Sequence, residues 1–595
     1  MRFHAFAAQP EMCYNALFMT FSNAKFAKFF AAATLMAAVT FAIGNIIQLV
    51  SSWYLGTDAF AAMAAVYPYR LLPDVIVILV AEGAAALSAQ AIGRGDRETA
   101  NRVFSQGATV LAALGVVFTL GFHAFEGVYL DVMGVTGAVR EQALAFGRGF
   151  VFSILSGILQ DYTTIQVYAD GGQRHCLAGS IVFLFVHAAT AVLFVSRWGA
   201  EGLGWSVAVS TCAYFAVLLL HFRTDRASLR FRPFFSPRLF VRTCALGLTS
   251  LLPQLETILV SCVTARVAAT RFGAVGLAVV AVVNSLGSVV GFLQAVGRVT
   301  LPLAAVSFGE NNRLSLVATM RRALRYLLAE GLLLTLPLVL FPNQIAGLFG
   351  IADAPTRAAM SAAIFWIGLF LVPAGLASLW GTYLQATGRV RTAAAYTFLR
   401  SFVFPAGAIL LCILAFGTSG LAAATAGEAA FLCVFAAVGW VIARRHGLTC
   451  PLFLPRSKTR GLLLSLEATG ESAARAAARV GETLERELGA ADRRTLWASL
   501  ATEELLTVTA DINRGRRVRV ELSLDFPDED TVRLIFRDDG RIFDFAAAAS
   551  DVNSLSAFVL TRLSCRSEQH SLTATGNNRS QLLFPKDMKN GTRNN

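Results

Sequence analysis

The sequence is poor in charged residues. Only 15% of its 595 residues are Asp, Glu, Lys or Arg and 55% are hydrophobic, whereas soluble domains average about 25% charge. The shortage excludes an ordinary soluble protein and predicts a chain that lies in lipid. It is uneven, because residues 28–443 form long apolar blocks and charge becomes frequent only after Pro455.

The sequence also lacks paired cysteines. Its nine cysteines are scattered singly, with no CxxC pair and no metal-ligand spacing, so we expect neither a metal site nor a disulfide framework. We expect no catalytic residues and no enzyme activity. The first apolar run is not followed by a small-residue cleavage site, which argues against a removable signal peptide.

Acidic residues are fewer than basic ones, 38 against 51, and the formal net charge is +13. Such an excess occurs in nucleic-acid-binding proteins. Here, however, the arginines lie in short loops between apolar blocks, where the orientation signals of membrane proteins occur. Topology explains the basicity better, so we expect membrane lipid rather than nucleic acid as a partner.

Twelve apolar blocks are long enough to cross about 30 Å of hydrocarbon, which takes roughly 20 helical residues. Six lie near 30–53, 60–92, 103–129, 142–168, 174–196 and 202–222, and six near 243–270, 274–306, 323–346, 357–385, 391–416 and 420–443. The predicted fold is an all-α polytopic membrane protein of two six-helix bundles with a small α/β domain. The predicted organisation is an N-terminal segment (1–29), N-lobe (30–222), basic connector (223–242), C-lobe (243–443), linker (444–461) and C-terminal domain (462–595).

The arginines alternate between loops. One set of loops contains Arg94 and Arg97, the dense run between Arg223 and Arg242, and Arg444 and Arg445, whereas the opposite set contains few, such as Arg197 and Arg271. Cytoplasmic loops are enriched in Lys and Arg. Both termini are therefore predicted to be cytoplasmic, in a multi-pass protein of the plasma (inner) membrane.

The two halves repeat. Gly56 corresponds to Gly273, at 273 − 56 = 217 residues, and Gly93 corresponds to Gly309, at 309 − 93 = 216 residues. Recurring landmarks at nearly one offset indicate an internal repeat. Six helices per copy give both copies the same orientation, so the bundles are predicted to be parallel repeats, an arrangement that suits alternating access.

At these landmarks the sequence resembles the multidrug and toxic compound extrusion (MATE) transporters. The stretches that carry the resemblance are 83–101, 301–312, LeuPheGlyIleAlaAsp at 348–353 and TyrLeuGlnAlaThrGlyArg at 383–389. The resemblance implies an antiporter that expels small organic compounds in exchange for H+ or Na+, with no other cofactor. Ser51, His187 and Ala191 depart from the family, since they stand where it often has an acid, an asparagine and an aspartate.

Ionisable residues within the predicted helices are candidates for transport or coupling, because charge inside a bilayer is costly. These are Glu82, Asp161, Glu256 and Arg298. Glu256 follows Pro253 near the start of the second bundle, where some relatives have a functional glutamate. It is equally open to a structural interpretation, as the partner of Arg298. Glu82 and Asp161 either line a cavity or serve in packing, and Asp74, His187 and Glu428 are weaker candidates.

The C-terminal pattern changes to an amphipathic helix from about Leu462, a second helix and alternating strands. It resembles the GHKL ATP-binding domains of the anti-sigma-factor type, through GluGluLeuLeuThr (503–507) and ArgAspAspGly (537–540). The resemblance assigns Glu504, Asp538 and Gly540 as a nucleotide-binding remnant. Val508 replaces the metal-binding Asn, and SerLeuSerAla (554–557) replaces a glycine-rich phosphate loop. A non-catalytic module is therefore expected, with a role in regulation, in docking a protein partner, or as a retained scaffold.

Three functions remain open at this point. The first is MATE-type efflux of organic or xenobiotic compounds. The second is a lipid-linked or polysaccharide flippase of the same superfamily, which Arg298 favours weakly. The third is a membrane receptor that signals through its C-terminal domain.

The arginine asymmetry yields a topology prediction. Single cysteines introduced into the loops near residues 226 and 266 should react with a membrane-impermeant thiol reagent from opposite sides, because only the first loop carries the cytoplasmic arginine excess. Labelling of both positions from the same side of sealed cells would contradict the topology.

Overall fold

The computed structural model describes residues 21–586, except 94–95, 171, 225–226, 228, 310–311, 352, 388, 450–451, 453, 456–460, 490, 529, 542–565 and 573–576. Two helical bundles occupy the chain up to Arg445, and an α/β domain follows from Gly461. The first bundle comprises α1 (Phe21–Leu55), α2 (Thr57–Arg70), α3 (Leu72–Gly93), α4 (Arg97–Met133), α5 (Gly137–Ala169) and α6 (Gln173–Leu219).

The second bundle contains eight helical segments in its described residues. They are α7 (Pro237–Gly287), α8 (Val290–Gly309), α9 (Arg313–Leu340), α10 (Pro342–Leu348), α11 (Ala354–Ala386), α12 (Val390–Phe398), α13 (Phe404–Phe416) and α14 (Ala424–Arg445). A π turn at Leu399–Val403 joins α12 to α13.

Ten stretches of the described helices are long and apolar enough to cross a membrane, against the twelve blocks expected from the sequence. Two of the ten, Arg174–Arg223 and Thr257–Leu301, contain 50 and 45 residues, about twice what one crossing needs. Each is interrupted by one glycine with positive φ, Gly199 (φ 58°) and Gly273 (φ 58°). Side chains disfavour that backbone conformation, so glycine bends the chain there.

The expected block at 323–346 was wrong at its start, because α9 begins ten residues earlier, at Arg313. Asn312 caps the helix, since its Oδ1 accepts a hydrogen bond from the backbone N–H of Ser315 at 3.0 Å. The arginines of the first three turns lower the hydropathy, but arginine is a good helix former. Hydropathy therefore placed the start of the apolar segment rather than the start of the helix.

Both bundles contain a second kind of break, which hydropathy did not reveal. Leu71 separates α2 from α3, and Ser288 and Val289 separate α7 from α8. Both breaks carry bonds of the i→i+3 type, from Asp74 N–H to the Leu71 carbonyl (3.2 Å) and from Gly291 N–H to the Ser288 carbonyl (3.0 Å). They lie at equivalent repeat positions, since 288 − 71 = 217.

The bundles touch most closely where α3 meets α7. A Cβ atom added to Gly83 would lie 1.9 Å from the Thr243 carbonyl oxygen, and one added to Gly247 would lie 1.8 Å from the Leu79 carbonyl oxygen. The two backbones are therefore in direct contact, as small residues permit in membrane proteins. At the other end of the bundles, the Trp53 indole N–H donates to the Leu348 carbonyl at 2.7 Å.

The C-terminal domain has two layers. Its five-stranded antiparallel sheet has the order β3-β4-β5-β7-β6, and α15 (Gly470–Leu488) and α16 (Arg493–Ile512) pack on one face. The strands are β3 (Gly461–Glu467), β4 (Arg519–Asp525), β5 (Thr531–Asp538), β6 (Arg566–Leu572) and β7 (Asn577–Pro585), and a ribbon of β1 (Leu448–Thr449) and β2 (Leu454–Pro455) precedes them.

The amphipathic helix expected from about Leu462 begins later, at Gly470. Residues 461–467 form the edge strand β3, which pairs along its length with β4. The Thr469 side chain and Ser472 then form a capping box that starts the helix. Pairing with β4 therefore keeps residues 461–467 in a strand, and the helical periodicity applies only to the Ala-rich segment that follows.

Helix packing in the first bundle yields a stability prediction. Gly204→Ala would place a Cβ 2.3 Å from the Phe150 backbone nitrogen, so α5 and α6 must separate, at a cost of about 1–3 kcal/mol. Gly157→Ala on α5 is the matched control, because nothing lies within 4 Å of its added Cβ. We expect a lower thermal midpoint in detergent for the first variant only; equal midpoints would contradict the packing.

Candidate functional site

Charged residues flank the break in the first bundle. Arg70 ends α2 and Asp74 lies in the first turn of α3, with Pro73 between them. The 14 residues of α2 rise about 21 Å, which places the break inside the hydrocarbon. The charges of Arg70 and Asp74 interact, and the Arg70 guanidinium lies 5.6 Å from the centre of the Tyr67 ring.

Asp161 joins this pair from α5. Its charge interacts with that of Asp74, and its Oδ1 accepts a hydrogen bond from Gln160 Nε2 at 2.9 Å. We call Arg70, Asp74 and Asp161 the charge cluster. Asp161 is a leading candidate from the sequence and Asp74 a weaker one, and the two lie within electrostatic range of each other where α3 packs against α5. Arg70 was missed, although its place three residues before a proline in an apolar block was a usable signal.

The positions where the family often has polar or acidic residues are filled differently here. Ser51 is buried and donates to the Gln48 carbonyl of its own helix at 2.9 Å. Ala191 is also buried. His187 is buried with its Nδ1 3.3 Å from Ser206 Oγ, and its ring lies within electrostatic range of Arg70. The residues of the charge cluster lie on α2, α3 and α5, and none of them is at these three family positions.

Two other predicted transport residues, Glu82 and Arg298, are exposed. Glu82 is an exposed residue of α3, next to the Gly83 contact with α7. Arg298 is exposed on α8. Glu256 belongs to α7, but its side chain lies outside the described residues, so its role and its pairing with Arg298 remain predictions.

Three further charged sites lie within the helices. Arg400 Nη1 is 2.6 Å from Glu428 Oε2, beside the π turn at 399–403. Glu330 of α9 accepts a hydrogen bond from Thr34 of α1 at 3.4 Å. Glu126 is buried on α4, and its carboxylate has no hydrogen-bond partner among the described atoms. Each acid interrupts an apolar run of the sequence. This interruption is the feature from which Glu126 and Glu330 could have been predicted as candidates.

The residues predicted as a nucleotide-binding remnant are held by the fold of the C-terminal domain. Asp538 is buried, and its Oδ1 accepts hydrogen bonds from Gly540 N–H (2.9 Å) and Asn578 Nδ2 (2.8 Å). Val508 is buried in the core beneath the sheet, and Glu504 is half-buried on α16. The SerLeuSerAla segment at 554–557 lies outside the described residues.

The fold and the buried charges define a polytopic membrane transporter. The MatE family model matches residues 32–193 and 248–409, which is more than half of the chain. The chain therefore belongs to the MatE family of multidrug-resistance transporters, and it is not an enzyme. The matches start 248 − 32 = 216 residues apart, the offset at which the glycine landmarks recur.

Individual relatives agree with this assignment. The chain is 27% identical over 341 residues to a probable multidrug resistance protein, YoeA, of Bacillus subtilis, covering 53% of this chain and 71% of the relative. Its fold is similar to an inward-facing multidrug resistance MATE transporter (TM-score 0.60, 18% identity, 70% of this chain and 98% of the other). It is also similar to a Pyrococcus furiosus transporter described by a reversed polarity of its binding pocket (TM-score 0.57, 18% identity, 71% and 95% covered).

The environment of the remnant yields a binding prediction. Val508 offers no oxygen to a metal ion, and Asp538 already accepts two hydrogen bonds within the fold. We expect the full chain in detergent to show weak or no Mg-ATP affinity and no hydrolysis by calorimetry and phosphate release. Micromolar, Mg2+-dependent binding would contradict this expectation.

Proposed function

We propose that the protein is a secondary antiporter of the plasma membrane that exports small organic compounds in exchange for H+ or Na+ by alternating access. The observation that carries the proposal is the charge cluster at the break between α2 and α3. Breaks at equivalent positions of two repeats are a typical mark of the transport site in secondary carriers.

The backbone supports twelve crossings with both termini in the cytoplasm. Splitting the two longest helices at Gly199 and Gly273 divides each into two stretches. With α2 joined to α3, the part of α7 after Gly273 joined to α8, α12 joined to α13, and the seven-residue α10 not counted, each bundle then crosses the membrane six times. An even number of crossings places the N-terminus and the C-terminal domain on one side, the side with more arginine.

Charge balance explains how the cluster would couple to a cation. With both carboxyls ionised, Asp74 and Asp161 exceed Arg70 by one negative charge. An uncompensated charge inside the membrane costs several kcal/mol, so one bound H+ or Na+ stabilises the cluster by neutralising it. A cationic organic substrate that replaces this ion would also restore neutrality. Because the coupling ion and the organic cation compete for the same negative charge, binding of one releases the other, and this competition is sufficient for exchange.

A flippase for an anionic lipid-linked compound is the second candidate. Arg70 and Arg400 both lie within the membrane segments, and interior cations favour an anionic substrate. The similar Pyrococcus furiosus transporter, which is described by a reversed polarity of its binding pocket, also supports this second candidate. The efflux proposal ranks first because Asp74, Asp161 and Glu428 offset these arginines.

The cluster yields a transport prediction. Asp161→Asn and Asp74→Asn should each lower ion-driven efflux of a fluorescent organic cation from proteoliposomes by about tenfold or more, since 1.4 kcal/mol already changes an equilibrium tenfold. Asp131→Asn is the matched control, because Asp131 is exposed and pairs with Arg140 at 3.1 Å. Wild-type efflux in both cluster variants would contradict the proposal. Glu256→Gln, measured alongside, tests whether the second bundle carries a further coupling acid.

A further inference from the structure

The C-terminal sheet buries a charged face. On the face opposite α15 and α16, β4, β5 and β7 carry Glu521, Asp525, Arg533, Arg537 and Arg579, which are 3%, 8%, 7%, 7% and 8% exposed. Alternating strands usually turn such residues to water, and fully buried charges are rare unless they are paired. The membrane bundles therefore cover a face that would otherwise be solvated.

The start of α9 makes the closest polar contacts with this face. The Ser315 hydroxyl donates to Glu521 Oε1 at 3.1 Å and accepts from Arg537 Nη1 at 3.2 Å. The Ser523 hydroxyl donates to Oδ1 of Asn312, the α9 cap, at 3.1 Å. Glu521 thus lies at a helix N-terminus, where the helix dipole favours a negative charge.

Within the sheet, ion pairs between β4 and β5 balance the charges of this face. Glu521 faces Arg537 and Asp525 faces Arg533 in the strand register, with pair distances of 3.1 and 2.5 Å. Burial, with the neighbouring charge of Arg579 adding to it, lowers the pKa of Arg537 to about 10, so the guanidinium stays charged at neutral pH. Because the interface is polar, water can replace its contacts when the domain leaves, which suits a separable interface.

The same sheet also reaches the first bundle. β3 and β4 lie against α1 as well as α9. Beneath them, α1 and α9 form a seam between the bundles, in which Phe26 and Phe30 pack on Tyr326 with ring centres 5.0 and 4.9 Å apart. The C-terminal domain therefore covers one end of a seam whose two sides belong to different bundles.

We propose that the C-terminal domain is a clamp that holds the α1 and α9 ends of the two bundles together and must release one of them before the bundles separate on that side. The proposal rests on alternating access as the transport mechanism. It assigns the charged sheet face to an intramolecular partner, and it gives the domain a role that needs no nucleotide.

A reversible disulfide between the domain and α9 tests the clamp. The pair Asn312→Cys and Ser523→Cys replaces two side chains that are in contact. For this test, a protease site is inserted into the full chain at residues 456–460. After cleavage, the domain stays covalently attached only if the disulfide has formed. Each single variant is a control. Ser156→Cys with Thr211→Cys, a contact of 2.7 Å between α5 and α6, controls for a disulfide that does not involve the domain.

We expect efflux by the linked protein to fall about tenfold, because the disulfide shifts the population toward the clamped state. Reduction of the disulfide should restore efflux. The control pair should keep its activity. The rate at which the native Cys244 is alkylated, measured by mass spectrometry, should also fall about tenfold when the disulfide forms. Cys244 reports on the bundles because it is next to Thr243, which contacts α3. Failure of the disulfide to form, or an unchanged Cys244 rate in linked protein, would overturn the clamp. If no variant transports, the proposed function fails, and the Cys244 rate still decides whether the clamp exists.

Discussion

The free-energy cost of placing a charged side chain away from water determines where charged residues can lie in this protein. Inside the hydrocarbon an ionised side chain loses several kcal/mol unless a partner or a cavity compensates it. The described helices nevertheless contain Arg70 with Asp74 and Asp161, and Arg400 with Glu428. In each case the opposite charge lies on a neighbouring helix or across a helix break, where it offsets part of this cost.

Backbone breaks determine where such charges can be used. A continuous helix satisfies its own hydrogen bonds, whereas the turns at Leu71 and at Ser288 replace i→i+4 bonds with i→i+3 bonds and change the direction of the chain. The first break carries charged residues and the second carries Ser285, Gly287 and Ser288. The two copies thus share a backbone design but differ in the chemistry of the break.

Much of this architecture could be predicted from the sequence. The apolar blocks, the repeat offset and the glycines at Gly199 and Gly273 follow from hydropathy and backbone preference, which act locally. Pairings between distant helices do not. Nothing near Asp74 in the sequence points to Asp161, and nothing in β4 points to the start of α9. The face that carries Glu521 and Arg537 has the alternation of a solvated sheet, and only the neighbouring bundles bury it.

In the proposed exchange, one negative charge in excess at the cluster is neutralised alternately by a coupling ion and by substrate. Ion release on substrate binding measures this directly. Purified protein in weakly buffered detergent is mixed with a lipophilic organic cation, while a pH indicator and a sodium-selective dye follow the solution. We expect about one H+ or Na+ to be released per bound organic cation, and none from Asp161→Asn. Binding of the organic cation without release of either ion would rule out the exchange.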